Sequence, residues 1–440
     1  MANETMQKAP RRYEKMRDSS VDWLGEVPNH WNKTKISNIF SVIGSGTTPQ
    51  SSIGSYYDDG TIPWVQSGDI NGNKLSRTSK CITEQALKSY PALRIYKAPY
   101  IAIAMYGASV ANISKVLIDS CTNQACCVLA SPKTGMSLDY MFYALVGAKE
   151  ELLLFARGGT QPNISQEIIR HFILPIPPLA EQIQIACYLD IVCESIIKII
   201  DEAKSSIAEY KALKSSIIYE AVTKGLDPHA EMKDSGVEWI GKIPKHWCDI
   251  NPKALFSQRK EKARPEDKQL TSSQQYGILF QKEYMELTGS KVVVVEKDFN
   301  ILKHVENGDF VISMRSFQGG LEYSTKSGCI SSAYVMLIPN LKLVYPRYFR
   351  WLFKSYSYIQ ALQSTSDLIR DGQAMRYSNF SQVRLIQVPL CEQEAIANYL
   401  DKKCTKIDDL IAEKQRLIED LEAYKKSIIY EVVTGKRKIC

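Results

Sequence analysis

Residues 16–31 read MRDSSVDWLGEVPNHW, and residues 232–247 read MKDSGVEWIGKIPKHW. A constant offset of 216 residues separates the two stretches, and most of their mismatches are conservative. They hold four of the six tryptophans in the chain, at positions Trp23, Trp31, Trp239 and Trp247. This paired-tryptophan motif predicts that one structural element occurs twice.

A second pair of matching segments lies at an offset of 211 residues. The sequence PLAEQ at 178–182 matches PLCEQ at 389–393, and SIIYE at 216–220 recurs at 427–431. Two nearly equal offsets indicate one unit of about half the chain, duplicated once.

Between the matched segments the two halves diverge. Residues 41–170 contain GSGTTP, YYDDGTIPW and RGGTQPN, whereas residues 257–385 contain TSSQQYG, MRSFQGG and RDGQAMRY. A weak similarity remains between Tyr100–Gly107 and Phe310–Phe317, each typical of a buried strand followed by a polar loop. Short β-branched runs punctuated by Gly, Pro, Asn and Ser favour strand-rich α+β domains that share a fold but not a surface.

Each half is predicted to end in a long helix, because no Pro or Gly occurs between Ala180 and Thr223. Pro177 and Pro178 prevent an earlier start, and Gly225 and Gly435 follow the predicted ends. Apolar or small residues recur at alternating steps of three and four, with Ser206 as the polar exception in the first copy and Lys403 and Lys414 in the second. The positions are Leu189, Val192, Ile196, Ile199, Ala203, Tyr210, Leu213 and Ile217, then Leu400, Ile407, Leu410, Leu417, Leu421, Tyr424 and Ile428. This heptad pattern predicts a coiled-coil pair, and the intervening domain allows an antiparallel one; an ordinary amphipathic pair in a bundle is the alternative.

The sequence therefore predicts an α+β fold with an internal two-fold repeat, in which two long antiparallel coiled-coil helices join two strand-rich domains. We place the first domain at residues 1–178, the central helix at 179–225, the second domain at 226–389 and the C-terminal helix at 390–440.

Composition sets broad limits. Lys and Arg number 55 against 48 Asp and Glu, and the net charge of +7 is compatible with a polyanionic partner without requiring one. The eleven cysteines are scattered without C-x-x-C spacing, which predicts reduced thiols in a cytoplasmic protein. Neither a signal peptide nor a run of about 18 apolar residues that could span a membrane is found.

Residue patterns for catalysis are weak. We expect His30 and His246, which are repeat-equivalent and adjoin tryptophan, to pack or cap rather than catalyse. The Gly44–Pro49 segment lacks the Lys-Ser/Thr ending of a phosphate loop, and Glu266–Lys268 lies in a charged run typical of a solvated loop. Pro177-Pro178 lacks the flanking residues of a methyltransferase tetrapeptide. These observations favour a non-catalytic chain.

The order of these features resembles the specificity subunit of type I restriction-modification enzymes over nearly the whole chain. The segments G-T-x-P near Gly46, Ile62-Pro63-Trp64 and G-T-Q-P-N-I at Gly159–Ile164 are similar to motifs of that family's target-recognition domains. The second half departs from the pattern: residues 257–273 lack G-T-x-P, and Asp371–Arg376 replaces G-T-Q-P-N.

The resemblance implies that each variable domain reads one half of a bipartite, asymmetric site in double-stranded DNA. The helices would set the spacing between the halves and dock two methyltransferase subunits. The chain itself would bind no cofactor, since S-adenosylmethionine belongs to the methyltransferase subunits, and ATP and Mg²⁺ belong to restriction subunits where two of these join.

Base reading needs side chains with paired donors and acceptors, while Lys, Arg, Ser and Thr hold phosphates. In the first domain we predict contacts from Ser45, Thr47, Thr48, Tyr56, Gln66, Tyr106, Arg157, Thr160, Gln161 and Asn163, with Lys74, Arg77 and Lys80 on phosphates. In the second domain we predict contacts from Gln274, Gln275, Tyr276, Arg315, Gln318, Arg370, Gln373, Arg376 and Tyr377.

Two other functions compete with DNA reading. A non-catalytic protein–protein adaptor with incidental DNA contact is compatible with the mild net charge. A self-contained nuclease or methyltransferase would be active alone and has no supporting motif.

Overall fold

The computed structural model describes residues 12–158, 162–292, 301–313, 316–365 and 375–439. The chain forms two compact units, the first comprising Met1–Ala203 with Arg416–Cys440 and the second comprising Lys204–Gln415. Each long helix therefore contributes one half to each unit. The domain boundaries drawn from the sequence stay a prediction.

The first unit contains a five-stranded sheet in the order β4-β11-β8-β9-β6, a three-stranded sheet β10-β5-β7 and two small antiparallel pairs, β1-β2 and β3-β12. The elements in chain order are β1 Met16–Asp18, β2 Glu26–Pro28, β3 Asn32–Lys35, α1 Ile36–Ile39, β4 Phe40–Gly44, β5 Ile62–Val65, β6 Lys74–Leu75, β7 Lys80–Ile82, α2 Glu84–Ser89, β8 Tyr100–Ala104, β9 Ile113–Val116, β10 Cys121–Thr122, β11 Cys126–Pro132, α3 Leu138–Gly147, α4 Lys149–Leu154, α5 Gln166–His171, β12 Ile173–Ile176 and the long helix α6 Leu179–Lys224.

The second unit contains a four-stranded sheet, β16-β23-β20-β21, and the pairs β13-β14, β15-β24, β17-β18 and β19-β22. The elements are β13 Met232–Asp234, β14 Lys242–Pro244, β15 Cys248–Ile250, α7 Pro252–Leu255, β16 Phe256–Arg259, β17 Leu270–Ser273, β18 Gly277–Phe280, α8 Gln281–Thr288, β19 Lys303–Val305, β20 Phe310–Ile312, α9 Ser316–Gly319, β21 Glu322–Tyr323, β22 Gly328–Ile330, β23 Val335–Pro339, α10 Pro346–Leu352, α11 Tyr356–Ser364, α12 Tyr377–Gln382, β24 Leu385–Gln387 and the long helix α13 Leu390–Val433.

The two main sheets share a core topology. The order β4-β11-β8-β9 of the first recurs as β16-β23-β20-β21 in the second, with antiparallel pairing throughout. The strands β8 and β20 occupy the same place in this order, and every residue of both is buried. This confirms the similarity seen between Tyr100–Gly107 and Phe310–Phe317 and shows that the divergent segments share a fold.

The paired-tryptophan motif closes each domain onto its own last strand. Trp31 and Trp247 are fully buried. The indole N–H of Trp23 donates to the Ile173 carbonyl at 3.3 Å, and that of Trp239 donates to the Arg384 carbonyl at 3.1 Å. The motif is thus a structural joint, which explains why it is duplicated.

The glutamine of each P-L-x-E-Q segment locks the start of a long helix. The buried Gln182 amide accepts a hydrogen bond from the Ser137 N–H at 2.9 Å and donates to the Gly135 and Pro177 carbonyls. Gln393 repeats this arrangement with Tyr345, Leu343 and Val388. All polar atoms of both buried amides are satisfied, which makes these side chains strong orientation constraints.

The glutamate of the same segment pairs with the histidine of the paired-tryptophan motif. His30 Nε2 lies 2.9 Å from Glu181 Oε2, and His246 Nε2 lies 2.8 Å from Glu392 Oε1. Both histidines thus join the start of a long helix to a paired-tryptophan motif, and the role predicted for them stays a prediction.

The S-I-I-Y-E segments place the end of each long helix against a paired-tryptophan motif. Tyr430 donates to the Trp23 carbonyl at 3.0 Å in the first unit, and Tyr219 donates to the Ile240 carbonyl at 3.2 Å in the second. Gly435 follows α13 with a φ of +73°, and a Cβ atom there would overlap the ring of Pro28. Only glycine fits this left-handed, closely packed stop.

Within each unit the two long helices pack antiparallel. In the first unit Leu189 and Cys193 of α6 share a core with Ile428 and Ile429 of α13. In the second unit Lys214 Nζ lies 2.6 Å from a carboxylate oxygen of Asp408. The buried and half-buried positions of α13 follow a heptad, at 400, 404, 407, 411, 414, 418, 421, 425 and 428. The coiled-coil prediction is confirmed.

The predicted heptad register was wrong at several positions. Ile200 is buried instead of the predicted Ile199, and Ile207 is buried instead of the predicted heptad position Ser206. Leu213, which was predicted to be in the core, is exposed. On α13 the exposed residues include Leu410, Leu417 and Tyr424, and Lys403 is also exposed. Adjacent apolar residues such as Ile199-Ile200 give two registers of equal hydrophobic periodicity, and the partner helix decides between them.

Candidate nucleic-acid interface

In the first unit, the end of β8 is the point where three separate loops meet. The Met105 N–H donates to the Ala125 carbonyl at 2.7 Å, and the Met105 carbonyl accepts from the Ile164 N–H at 2.9 Å. The next residue, Tyr106, is 47% exposed. The loop before β11 and the loop before α5 are therefore held on either side of Tyr106.

The loop before α5 contributes Arg157 and Asn163. Their backbones exchange two hydrogen bonds, at 2.9 and 2.8 Å, and the Gly107 N–H donates to the Pro162 carbonyl at 3.1 Å. Both Arg157 and Asn163 are exposed. The predicted Thr160 and Gln161 lie outside the described residues.

The glycine-rich loop that follows β4 contacts the loop before β11. The Gly46 N–H donates to the Asn123 carbonyl, and a Cβ atom on Gly46 would overlap the Thr122 carbonyl oxygen, so this close approach requires glycine. Thr48 Oγ1 then donates to Gln124 Oε1 at 2.6 Å. We call the exposed set Thr48, Tyr106, Gln124, Arg157 and Asn163 the first surface.

Other predicted residues of the first domain lie in different surroundings. The Ser45 carbonyl accepts from Tyr96, and Thr47 is half-buried in the same loop. Tyr56 packs edge to face on Tyr90 at 5.6 Å, and the Gln66 N–H donates to Asp69. None of these contacts joins its residue to the first surface directly.

Of the predicted phosphate-binding residues, Arg77 and Lys80 are exposed. Lys74 instead forms ion pairs with Asp190 and Glu194 of α6, at 3.1 and 2.9 Å, and these carboxylates raise the pKa of Lys74 against the opposing effect of desolvation. Lys74 therefore ties the domain to its helix, and its predicted contact with a phosphate stays a prediction.

In the second unit, the turn between β17 and β18 carries Gln274, Gln275 and Tyr276. These residues line a cavity of about 370 Å³ together with Arg350 and Lys354. The two basic residues were not identified from the sequence; Arg350 lies in α10, and Lys354 follows the end of that helix. We call the set Gln274, Gln275, Tyr276, Arg350 and Lys354 the second surface.

A buried carboxylate lies beneath the second surface. Glu322 is paired with Lys354; burial raises the pKa of Glu322, and the ammonium group opposes this rise. The Arg350 guanidinium lies 5.9 Å from the Tyr323 ring centre. Lys354 is thus oriented by its ion pair, while Arg350 is exposed.

The remaining predicted residues of the second domain divide into two groups. Gln318 is exposed next to Gly319, where a Cβ atom would lie 2.7 Å from Gln274 Cδ, so α9 adjoins the second surface. Arg376 is exposed, whereas the Tyr377 hydroxyl donates to the Phe256 carbonyl at 3.0 Å. The predicted Arg315, Arg370 and Gln373 lie outside the described residues.

Within residues 12–158, 162–292, 301–313, 316–365 and 375–439, no group of three or more His, Cys, Asp or Glu side chains is placed to hold a metal ion. All ten cysteines in these ranges are free thiols. Among the described helices, none has the length and apolar character needed to cross a membrane.

Comparisons with known proteins agree with this picture. A family model described as "Type I restriction modification DNA specificity domain" matches residues 28–209. The putative type I restriction enzyme MjaX specificity subunit of Methanocaldococcus jannaschii is 24% identical over 428 residues, covering 94% of this chain and 96% of that protein. The MjaIX specificity subunit of the same organism is 29% identical over 171 residues, or 38% of each protein.

A solved structure shows the same fold. That structure is described as the basis of complex assembly and conformational transition of the type I R-M system. One of its chains matches this protein with a TM-score of 0.66 at 14% identity. The match covers 92% of this chain and 98% of that chain.

The chain combines a duplicated helical frame with two different polar surfaces. Over 94% of its length it is similar to a type I restriction enzyme specificity subunit, and a model of the type I restriction-modification DNA specificity domain matches residues 28–209.

Proposed function

We propose that each strand-rich domain reads one half of a bipartite, asymmetric site in double-stranded DNA. The observation that carries this proposal is that the sheet order β4-β11-β8-β9 recurs as β16-β23-β20-β21 while the exposed residues beside it differ. One shared scaffold with two different surfaces suits a target whose two halves have different sequences.

The first and second surfaces have the side chains that base reading needs. Arg pairs with guanine, and Asn and Gln pair with adenine, through two hydrogen bonds at a time in the major groove. The first surface offers Gln124, Arg157 and Asn163, and the second offers Gln274, Gln275 and Arg350. In this proposal the exposed Arg77 and Lys80 hold phosphates, which fix position without reading sequence, and the exposed Arg376 contacts DNA in the second half-site.

The paired helices set the distance between the half-sites in this proposal. Two half-sites on one face of B-DNA lie about 34 Å apart per helical turn. A 46-residue helix such as α6 is about 69 Å long at 1.5 Å per residue. A coiled coil of this length is stiff enough to hold a fixed spacing.

The same helices dock two methyltransferase subunits. Repeat-equivalent apolar side chains are exposed on both helices: Ile199 and Leu410 at 43% and 40%, and Leu213 and Tyr424 at 49% and 43%. Ile199 and Tyr424 belong to the first unit, and Leu410 and Leu213 belong to the second. Each unit thus has one such pair, which suits one methyltransferase subunit per unit.

The cofactors of the system reside on the partners in this proposal. S-adenosylmethionine is held by the methyltransferase subunits, and ATP and Mg²⁺ are held by two restriction subunits when these join. The chain contributes recognition and assembly.

Footprinting with a library of bipartite DNA sites tests the proposal. The chain in complex with its methyltransferase subunits should protect two short segments at a fixed spacing, and affinity should fall steeply between low and moderate salt as counterions are released. Sequence-independent protection with a shallow salt dependence would instead support a protein–protein adaptor.

A further inference from the structure

We infer that Gln124 reads an adenine in the first half-site and that Thr48 is its positioning residue. The inference rests on the proposed function and adds a base-reading residue that the sequence pattern did not reveal. Its basis is the way in which the chain presents one exposed amide.

The backbone on either side of Gln124 is held by hydrogen bonds. The Asn123 N–H donates to the Val65 carbonyl at 3.0 Å, and Asn123 Oδ1 accepts from the Ala125 N–H at 3.0 Å and from Cys126 Sγ at 3.1 Å. Asn123 is buried, whereas Gln124 is exposed. A rigid tip with one projecting polar side chain loses little conformational entropy when it binds.

Thr48 determines how the amide faces outward. Its hydroxyl donates to Gln124 Oε1 at 2.6 Å, which fixes the oxygen and nitrogen ends of the amide. The oxygen keeps a second lone pair, and the NH₂ group keeps its donors. Adenine presents N7 as an acceptor and N6–H₂ as a donor in the major groove, so an oriented glutamine amide matches both groups at once.

The surroundings of Gln124 also suit a base contact. The adjacent Ala125 is bonded to Met105, whose neighbour Tyr106 is exposed, and Met105 is bonded in turn to Ile164, next to the exposed Asn163. Exposed polar side chains from separate loops therefore lie beside Gln124, as reading of several adjacent bases requires.

The test is a binding-site selection in which the full chain, with its methyltransferase subunits, is offered DNA randomised in the first half-site. Gln124→Ala should reduce the preference for adenine at one position by about ten- to a hundred-fold, the discrimination supplied by one bidentate contact. Gln124→Glu, which accepts but does not donate, should shift that position towards cytosine, since a carboxylate accepts from the cytosine amine. The control Gln85→Ala removes an exposed glutamine from α2 and should leave the profile unchanged.

Thr48→Val keeps the size of the side chain and removes the hydroxyl, so it should weaken the preference at the same position by a smaller factor. An unchanged profile for both Gln124 variants, or an equal loss of affinity for all sequences, would overturn the inference. If the wild-type complex selected no sequence at all, the proposed function would fail instead, which keeps the two failures distinct.

Discussion

The hydroxyl of Tyr348 donates a 2.8 Å hydrogen bond to the backbone carbonyl of Val222, in the last turns of the first long helix. In the first unit the Tyr140 hydroxyl shares its proton between the Pro175 carbonyl at 3.0 Å and the Val433 carbonyl at 3.3 Å, the latter at the end of the second long helix. Each domain thus binds the end of the long helix that was not built from its own half of the repeat. The ends of the long helices are therefore held by hydrogen bonds between residues that are distant in sequence.

Removing either of these hydroxyls should weaken the frame. Tyr348→Phe leaves a buried helix-end carbonyl without this donor, at a cost of about 1–3 kcal/mol in the free energy of unfolding. Chemical denaturation of the purified chain measures the loss, and Tyr356→Phe, at an exposed tyrosine, is the matched control. Equal stability of the two variants would show that the bond adds nothing.

The buried glutamines at the helix starts should be still less tolerant. Gln182→Leu keeps the approximate volume but leaves the Ser137 N–H and two carbonyls without their partner, so we expect a larger loss than for Tyr348→Phe. The same change at Gln393 should have a similar effect because its contacts repeat. Thermal unfolding compared with Gln85→Leu gives the measurement, and a shift in Tm no larger than that of this exposed control would contradict the assignment.

The exposed apolar side chains of the helices should control assembly. Ile199→Asp and Leu410→Asp place a charge in equivalent docking positions, and each should release one methyltransferase subunit while the double variant releases both. Native mass spectrometry counts the subunits. Ile95→Asp, at a residue of similar exposure outside the helices, is the control. Full occupancy in the double variant would exclude these residues from the docking surface.

The long helices were predictable because their signals are local. Pro178 and Gly225 bracket α6, and periodicity alone revealed the heptads. The register was harder, since Ile199 and Ile200 are both apolar and only the partner helix makes one of them a core residue.

The two surfaces proposed to contact DNA were predictable only in part, for a related reason. Thr48 and Gln124 meet across 76 residues of sequence, and the segment that follows Gln124 is apolar and typical of a buried strand. Arg350 lies in α10 and Lys354 follows the end of that helix, in an aromatic segment whose sequence is typical of a core. Contacts of this kind depend on how strands pair, which local sequence does not specify.

Lengthening both long helices should widen the target. One heptad inserted between Leu189 and Ile217, with a matching heptad in α13, adds about 10 Å at 1.5 Å per residue. The preferred gap between half-sites should then grow by about three base pairs, at 3.4 Å per base pair. Sequencing of methylated DNA reads the gap directly, and an unaltered gap in a correctly assembled complex would exclude a ruler role for the helices.

The central claim is that one duplicated frame carries two independent DNA-reading domains. Exchanging residues 41–170 for the corresponding segment of a related type I specificity subunit tests this claim. The measurement is the complete DNA recognition profile of the assembled methyltransferase complex, with the parent chain alongside. We predict a new sequence in one half-site, with the other half-site and the gap between them unchanged. A profile in which both half-sites change would contradict the account.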